Sequence, residues 1–234
     1  DPEWDGEPME PELSTGKNPQ VIKEATAPYN EDSEDQQKKK ILKIKLGDGK
    51  EREIQHMIKT SFWSANGKPI SSEEFLQKMY GEMPDFLKNE DELRKLWSSP
   101  ITRKALLEKL ADAGYGMNKL KTVQQIINAE NSDIFDVLEY IYFAIKPISR
   151  EERVAKAQYE IFKSLDNNQK EFLEFVLSKY VETGIEELDQ EKLPDLLKIK
   201  YFEITDATEL LGSVTKIRDT FINFQKHLFA TASD

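Results

Sequence analysis

Two periodicities divide the chain. In the stretch from Lys38 to Ile58, Leu42, Ile44 and Leu46 alternate with Lys43 and Lys45, the period-two pattern of a half-buried strand. Gly47-Asp48-Gly49 supplies permissive backbone for a tight reversal. A turn centred on Asp48 sets Lys43 opposite Glu53, Lys45 opposite Glu51 and Leu42 opposite Ile54, so charges pair on one face and apolar groups gather on the other. This predicts a β-hairpin within 38–63. From Phe62 onward the period becomes that of helices, with Asn66-Gly67 marking a turn. Ser71 with Glu74, Ser149 with Glu152 and Asp166 with Gln169 read as capping pairs, and Ser99-Pro100 as an N-cap followed by proline at the first helical position. Ile134 to Ile145 is apolar nearly all round except for Asp136 and Glu139, which predicts a central helix. Phe172, Phe175, Val176 and Tyr180 form one apolar stripe, and Val214, Ile217, Phe221 and Phe224 form another. Both read as core. The fold class is mainly α, a helical bundle over 64–234 preceded by the hairpin as part of the same unit.

Charge changes the picture upstream. Residues 1–37 hold eleven acids against Lys17 and Lys23, a net of −9 out of −11, leaving −2 for the other 197 residues. This segment also carries five prolines and few aliphatics, so it reads as an acidic, Pro-rich linker. At 38% hydrophobic content, the remainder has enough apolar material for one sizeable core. There is no cysteine, and His56 and His227 lie far apart in sequence, so neither disulfides nor a structural zinc site is expected. No apolar run approaches membrane-spanning length, and the expected location is cytoplasmic. The start at Asp1 reads as a cut from a longer polypeptide.

Catalytic motifs are missing. The sequence contains no phosphate-loop lysine motif, no His-Glu-x-x-His and no Gly-x-Ser-x-Gly. Pro84-Asp85 and Pro194-Asp195 offer the first half of a metal-dependent nuclease core, but no acid after position 85 stands two residues before a lysine. The acids at Glu90 to Glu92 and at Glu186, Glu187 and Asp189 sit where helix starts are expected, and there they favour the helix dipole. Gly114-Tyr115-Gly116, followed by Lys119 and Lys121, admits two readings. It is a phosphate-gripping turn or, favoured here, a helix C-cap with Tyr115 folding back.

A resemblance carries the reading further. Asp133-Ile134-Phe135-Asp136-Val137-Leu138, then Ala144, Pro147 and Ile148-Ser149-Arg150-Glu151-Glu152-Arg153-Val154, resemble the C-terminal domain of the R subunit of type I restriction enzymes. The helix from Trp97 to Gly114 and the stretch Phe172 to Ile185, with Leu177, Lys179, Tyr180 and Gly184, are similar to that family as well. Coverage runs from about residue 40 to 229, with Lys192 to Thr208 matching least well. The resemblance implies a non-catalytic assembly domain, with ATP and Mg handled by preceding domains. Its partners would be the methyltransferase and specificity subunits, with double-stranded DNA reached indirectly and no membrane. The rival readings are an autonomous double-stranded nucleic-acid-binding module, with Lys43 and Lys45 as DNA contacts, and an enzyme with an unfamiliar site. Arg150, Trp97, Tyr115 and Lys119 are the candidate interface residues. Asp136 on its apolar helix needs a partner, and Arg153 is the expected one inside the fold.

Overall fold

A computed structural model describes residues 41–55, 62–63, 68–82 and 86–230, all within one compact unit, Lys39–Asp234. The acidic segment 1–37, residues 38–40, His56, the Asn66-Gly67 turn and Pro84-Asp85 lie outside the described residues.

Strands β1 (Ile41–Lys45) and β2 (Glu51–Gln55) pair antiparallel with Leu42 opposite Ile54, Lys43 opposite Glu53 and Lys45 opposite Glu51. This is the register expected from the alternation with a turn centred on Asp48. Gly49 takes φ +73° in the turn, where its amide donates to the Leu46 carbonyl. The buried face is less apolar than its pattern suggests, because Arg52 lies opposite Ile44 and is buried. Its guanidinium grips both Asp48 carboxylate oxygens at 2.9 and 2.7 Å. A second pairing, unforeseen in the sequence, joins β3 (Phe62–Trp63) to β4 (Pro69–Ile70), and the first described helix starts at residue 72, directly after the Ser71 cap.

Ten α-helices follow among the described residues. They are α1 (Ser72–Glu82), α2 (Glu90–Trp97), α3 (Pro100–Asp112), α4 (Met117–Ile126), α5 (Ile134–Phe143), α6 (Arg150–Phe162), α7 (Asn167–Thr183), α8 (Leu193–Tyr201), α9 (Ile204–Leu211) and α10 (Val214–Leu228). Tight helical turns at 185–188 and 190–192 precede α8. The starts obey capping chemistry. Ser71 and Glu74 satisfy each other's backbone, as do Asp166 and Gln169, while Ser149 accepts from the Glu152 amide. Ser99 precedes Pro100 but makes no side-chain cap. The end of α3 is a C-cap: Gly114 takes φ +90°, the Tyr115 amide donates to the Leu110 carbonyl, and the Gly114 amide donates to that of Ala111.

Helix α5 lies in the core, buried along most of its length, with α2, α4 and α1 packed on it. Phe172, Val176 and Tyr180 of α7 and Ile217, Phe221 and Phe224 of α10 are buried, while Phe175 is half-buried. Val214 departs from its predicted stripe and is exposed, because the first residue of α10 has no preceding helical turn to lie over.

Candidate functional site

The chemistry of the core concentrates at the start of α5. Asp133 caps the helix by accepting from the Phe135 amide at 2.8 Å, and Asp136 Oδ2 accepts from the Asp133 amide at 3.1 Å. The other oxygen of Asp136 accepts from the Ile148 amide at 3.1 Å and from Arg153 at 2.7 Å. One carboxylate thus fastens its own helix start, the connection after α5, and α6. Both members of the pair are buried, Asp136 to 2% exposure and Arg153 to 5%. The Arg153 guanidinium also lies over the rings of Phe135 and Phe229, 4.9 and 5.3 Å from their centroids. Burial is the largest single influence and disfavours the Arg153 charge, but Asp136, Tyr180 and Asp133 together outweigh it and raise the guanidinium above its ordinary value.

One turn further along α5, Glu139 stands 2.5 Å from Arg94 of α2 in a contact without hydrogen-bond geometry. Arg94 is held by Glu90 at 2.8 Å and lies over the Phe135 ring. Burial pushes the Glu139 carboxyl up to about 7, against the pull of Arg94. Burial likewise raises Asp133, and it raises the Tyr180 phenol well above its usual range. The outer side of this network borders a cleft of about 790 Å³ lined by Arg94, Asp136, Glu139, Arg153, Lys146 and Lys156.

The expected interface residues are placed differently from one another. Trp97 is fully buried, packed near Phe135, and presents nothing to a partner. Tyr115 is buried too, and its hydroxyl donates to the Glu82 carboxylate. Both aromatics fill the core because each closes the end of a helix that packs inward. Arg150 is occupied internally, donating to the carbonyls of Val181, Glu130 and Ser132. Lys119 alone of the four is exposed, about 6 Å from the Phe75 and Tyr115 ring centroids. On the hairpin, Lys43 and Lys45 reach Glu53 and Glu51 at 3.5 and 3.4 Å. Among the described residues, no group of three or more His, Cys, Asp or Glu side chains is placed to hold a metal ion. Asp195 lies in the first turn of α8.

The protein family described as EcoEI R protein C-terminal matches residues 73–229. The chain belongs to that family, the C-terminal domains of type I restriction enzyme R subunits. Searches of curated proteins and of solved structures gave no significant match.

In this restriction-enzyme domain the matched stretch ends on Phe229, a fully buried ring beside Phe135 and Tyr180. The hairpin precedes the match yet is integral to the fold. Arg52 donates to the Tyr140 carbonyl, Lys50 to that of Phe143, and the Tyr140 hydroxyl bonds both the Glu53 carbonyl and amide, all reaching α5. Sequence reasoning missed three arginines that tie elements together, two of them buried and Arg94 half-buried. Arg103 of α3 bonds the Trp97 and Leu188 carbonyls, Gln225 and Asp189, joining α3 to α10 and to the turn at 185–188. Arg52 and Arg94 are the others. The available signal was position, since Arg103 falls on the same helical stripe as Leu106 and Leu110.

Proposed function

We propose that this domain is a non-catalytic docking unit that joins the motor and nuclease part of the R subunit to the methyltransferase and specificity subunits. Support comes from its family membership together with the use of its buried and half-buried charges. Asp136, Arg153, Arg94, Arg103 and Arg52 are engaged in tying helices and hairpin to one another, as suits a rigid adaptor. ATP and Mg belong, on this reading, to other parts of the subunit, and DNA is reached through the assembled enzyme in the cytoplasm. The hairpin lysines argue against an autonomous nucleic-acid module, since both are paired with glutamates and so offer little net charge to phosphates. Among the described residues no helix is long and apolar enough to cross a membrane.

The test is competition. The full chain added in excess to a reconstituted enzyme should lower ATP-dependent DNA cleavage and leave methylation intact, and alone it should neither nick supercoiled plasmid nor hydrolyse ATP. Cleavage by the chain itself, or unimpaired restriction at saturating chain, contradicts the docking reading.

A further inference from the structure

The surface of the bundle is uneven in one place. Of the eight large hydrophobic side chains that stand exposed among the described residues, five fall between positions 199 and 214: Ile199, Phe202, Ile204, Leu210 and Val214. Ile204 and Leu210 lie on α9, a helix of eight residues that spans only about 12 Å, and Ile199, Phe202 and Val214 lie on α8, at the corner after it and at the start of α10. The most prominent of the five is Phe202, 86% exposed at the corner between α8 and α9. The backbone there is strained. Phe202 takes φ 65°, ψ −46°, and the Glu203 amide donates to the Tyr201 carbonyl at 2.7 Å, closing a γ-turn of the rare kind with positive φ. Glycine would adopt this turn freely. A bulky ring held in strain and left in water contributes nothing to the folded chain by itself, and such strain concentrates where a surface is used.

The charges around the patch point to its occupant. Glu203, Asp206 and Glu209 are exposed, and their side chains make no ion pair within the described residues. Some exposed acids elsewhere, such as Glu152, Glu182 and Glu191, pair with lysines, and others, such as Glu108, Glu151 and Glu171, do not. Helix α9 has no basic residue; on α8, Lys200 lies over the Phe175 and Tyr201 rings and Lys198 is exposed beside Ile199. On the α9 side, where three acids stand unpaired and no base is present, the patch repels phosphates. It also opposes a second copy, because a two-fold interface would set the same acids against themselves.

We propose that the α8–α9 corner, with Phe202 as its anchor, is the surface that docks another protein, through a partner segment bearing an apolar pocket or strip flanked by lysine or arginine. The proposal rests on the docking reading and narrows it to a surface and a chemistry. An exposed aromatic clasped in a partner pocket, ringed by complementary charge, is the usual form of an interface hot spot.

The experiment titrates the full chain against the purified methyltransferase–specificity complex of the same system, with thermal melts alongside. Phe202→Gly should weaken binding by about tenfold or more, while leaving the melting temperature equal or higher because the turn relaxes. Exchanging Glu203, Asp206 and Glu209 together for lysine should also weaken binding, and the loss should be greatest at low salt. If wild type binds and neither variant weakens it, the surface is wrong and the docking reading stands. If wild type does not bind, the docking reading falls and this surface with it. A Phe202→Gly chain that melts well below wild type makes the ring structural and overturns the proposal, as does wild-type self-association that this substitution abolishes.

Discussion

Asp136 holds three separate parts of the fold with one buried carboxylate. It closes the capping box with Asp133, accepts from the Ile148 amide and neutralises Arg153. Removing it strands a buried guanidinium between Phe135 and Phe229, which costs about 3–5 kcal/mol. Asp136→Ala should therefore lower the melting temperature by on the order of 10 °C, and Asp136→Asn, which keeps an acceptor for the amides, should lie between it and wild type. A normal melt in Asp136→Ala would show that the pair contributes nothing to stability. Glu139 gives a second prediction, with a sign. Its carboxyl titrates at about 7 in the fold against an ordinary 4.5. Between those values the folded chain holds more protons than the unfolded one, so this group's contribution to stability falls as pH rises through that window. Glu139→Gln should thus compare more favourably with wild type at pH 8 than at pH 5 in paired melts, and an identical difference at both would contradict the raised value. An acid on an otherwise apolar helix was conspicuous in the sequence. The partners of Arg52, Arg94 and Arg103 were not, because long side chains find carbonyls and carboxylates on distant elements, even where helical position marks the arginine itself, as it does Arg103.

Among the elements, the hairpin shows what short-range pattern can and cannot specify. Its register followed from alternation and charge pairing, both local properties. Its attachment to α5 did not, since that depends on Arg52 and Tyr140, 88 positions apart. Two expectations separate the faces. Lys43 and Lys45 make exposed pairs of the sort that contribute below about 1 kcal/mol, so replacing both with alanine should barely move the melt and should leave docking unchanged. Arg52→Ala should free the hairpin from α5 and speed hydrogen exchange across 41–55 well before the helices open, and uniform exchange in both would show that the hairpin is not anchored through Arg52. Helix starts at Ser71, Ser149 and Asp166 were legible because capping is local chemistry too. The stretch from 185 to 204 was not, for it proceeds through tight turns and a strained corner at Phe202 that have no periodicity to read.

At the scale of the whole chain, charge is segregated. Nearly all of the net −11 lies in 1–37, so the folded part approaches its partners close to neutral, and its interactions depend on local surfaces more than on a global field. The family match, 73–229, covers the helices that enclose the buried network, and the hairpin completes the same core from outside that span. The fold class was open to sequence reasoning because helical periodicity dominates the chain. The candidate surface was not, because Trp97 and Tyr115 turned inward while the exposed ring proved to be Phe202. The most direct test of the docking account is the mass of the purified methyltransferase–specificity complex measured with and without the full chain at physiological salt. The account predicts an increase by one or more units of 27.1 kDa, in the absence of DNA and ATP. A complex of unchanged mass with the chain free at micromolar concentration, while the chain retards bare duplex, would contradict it.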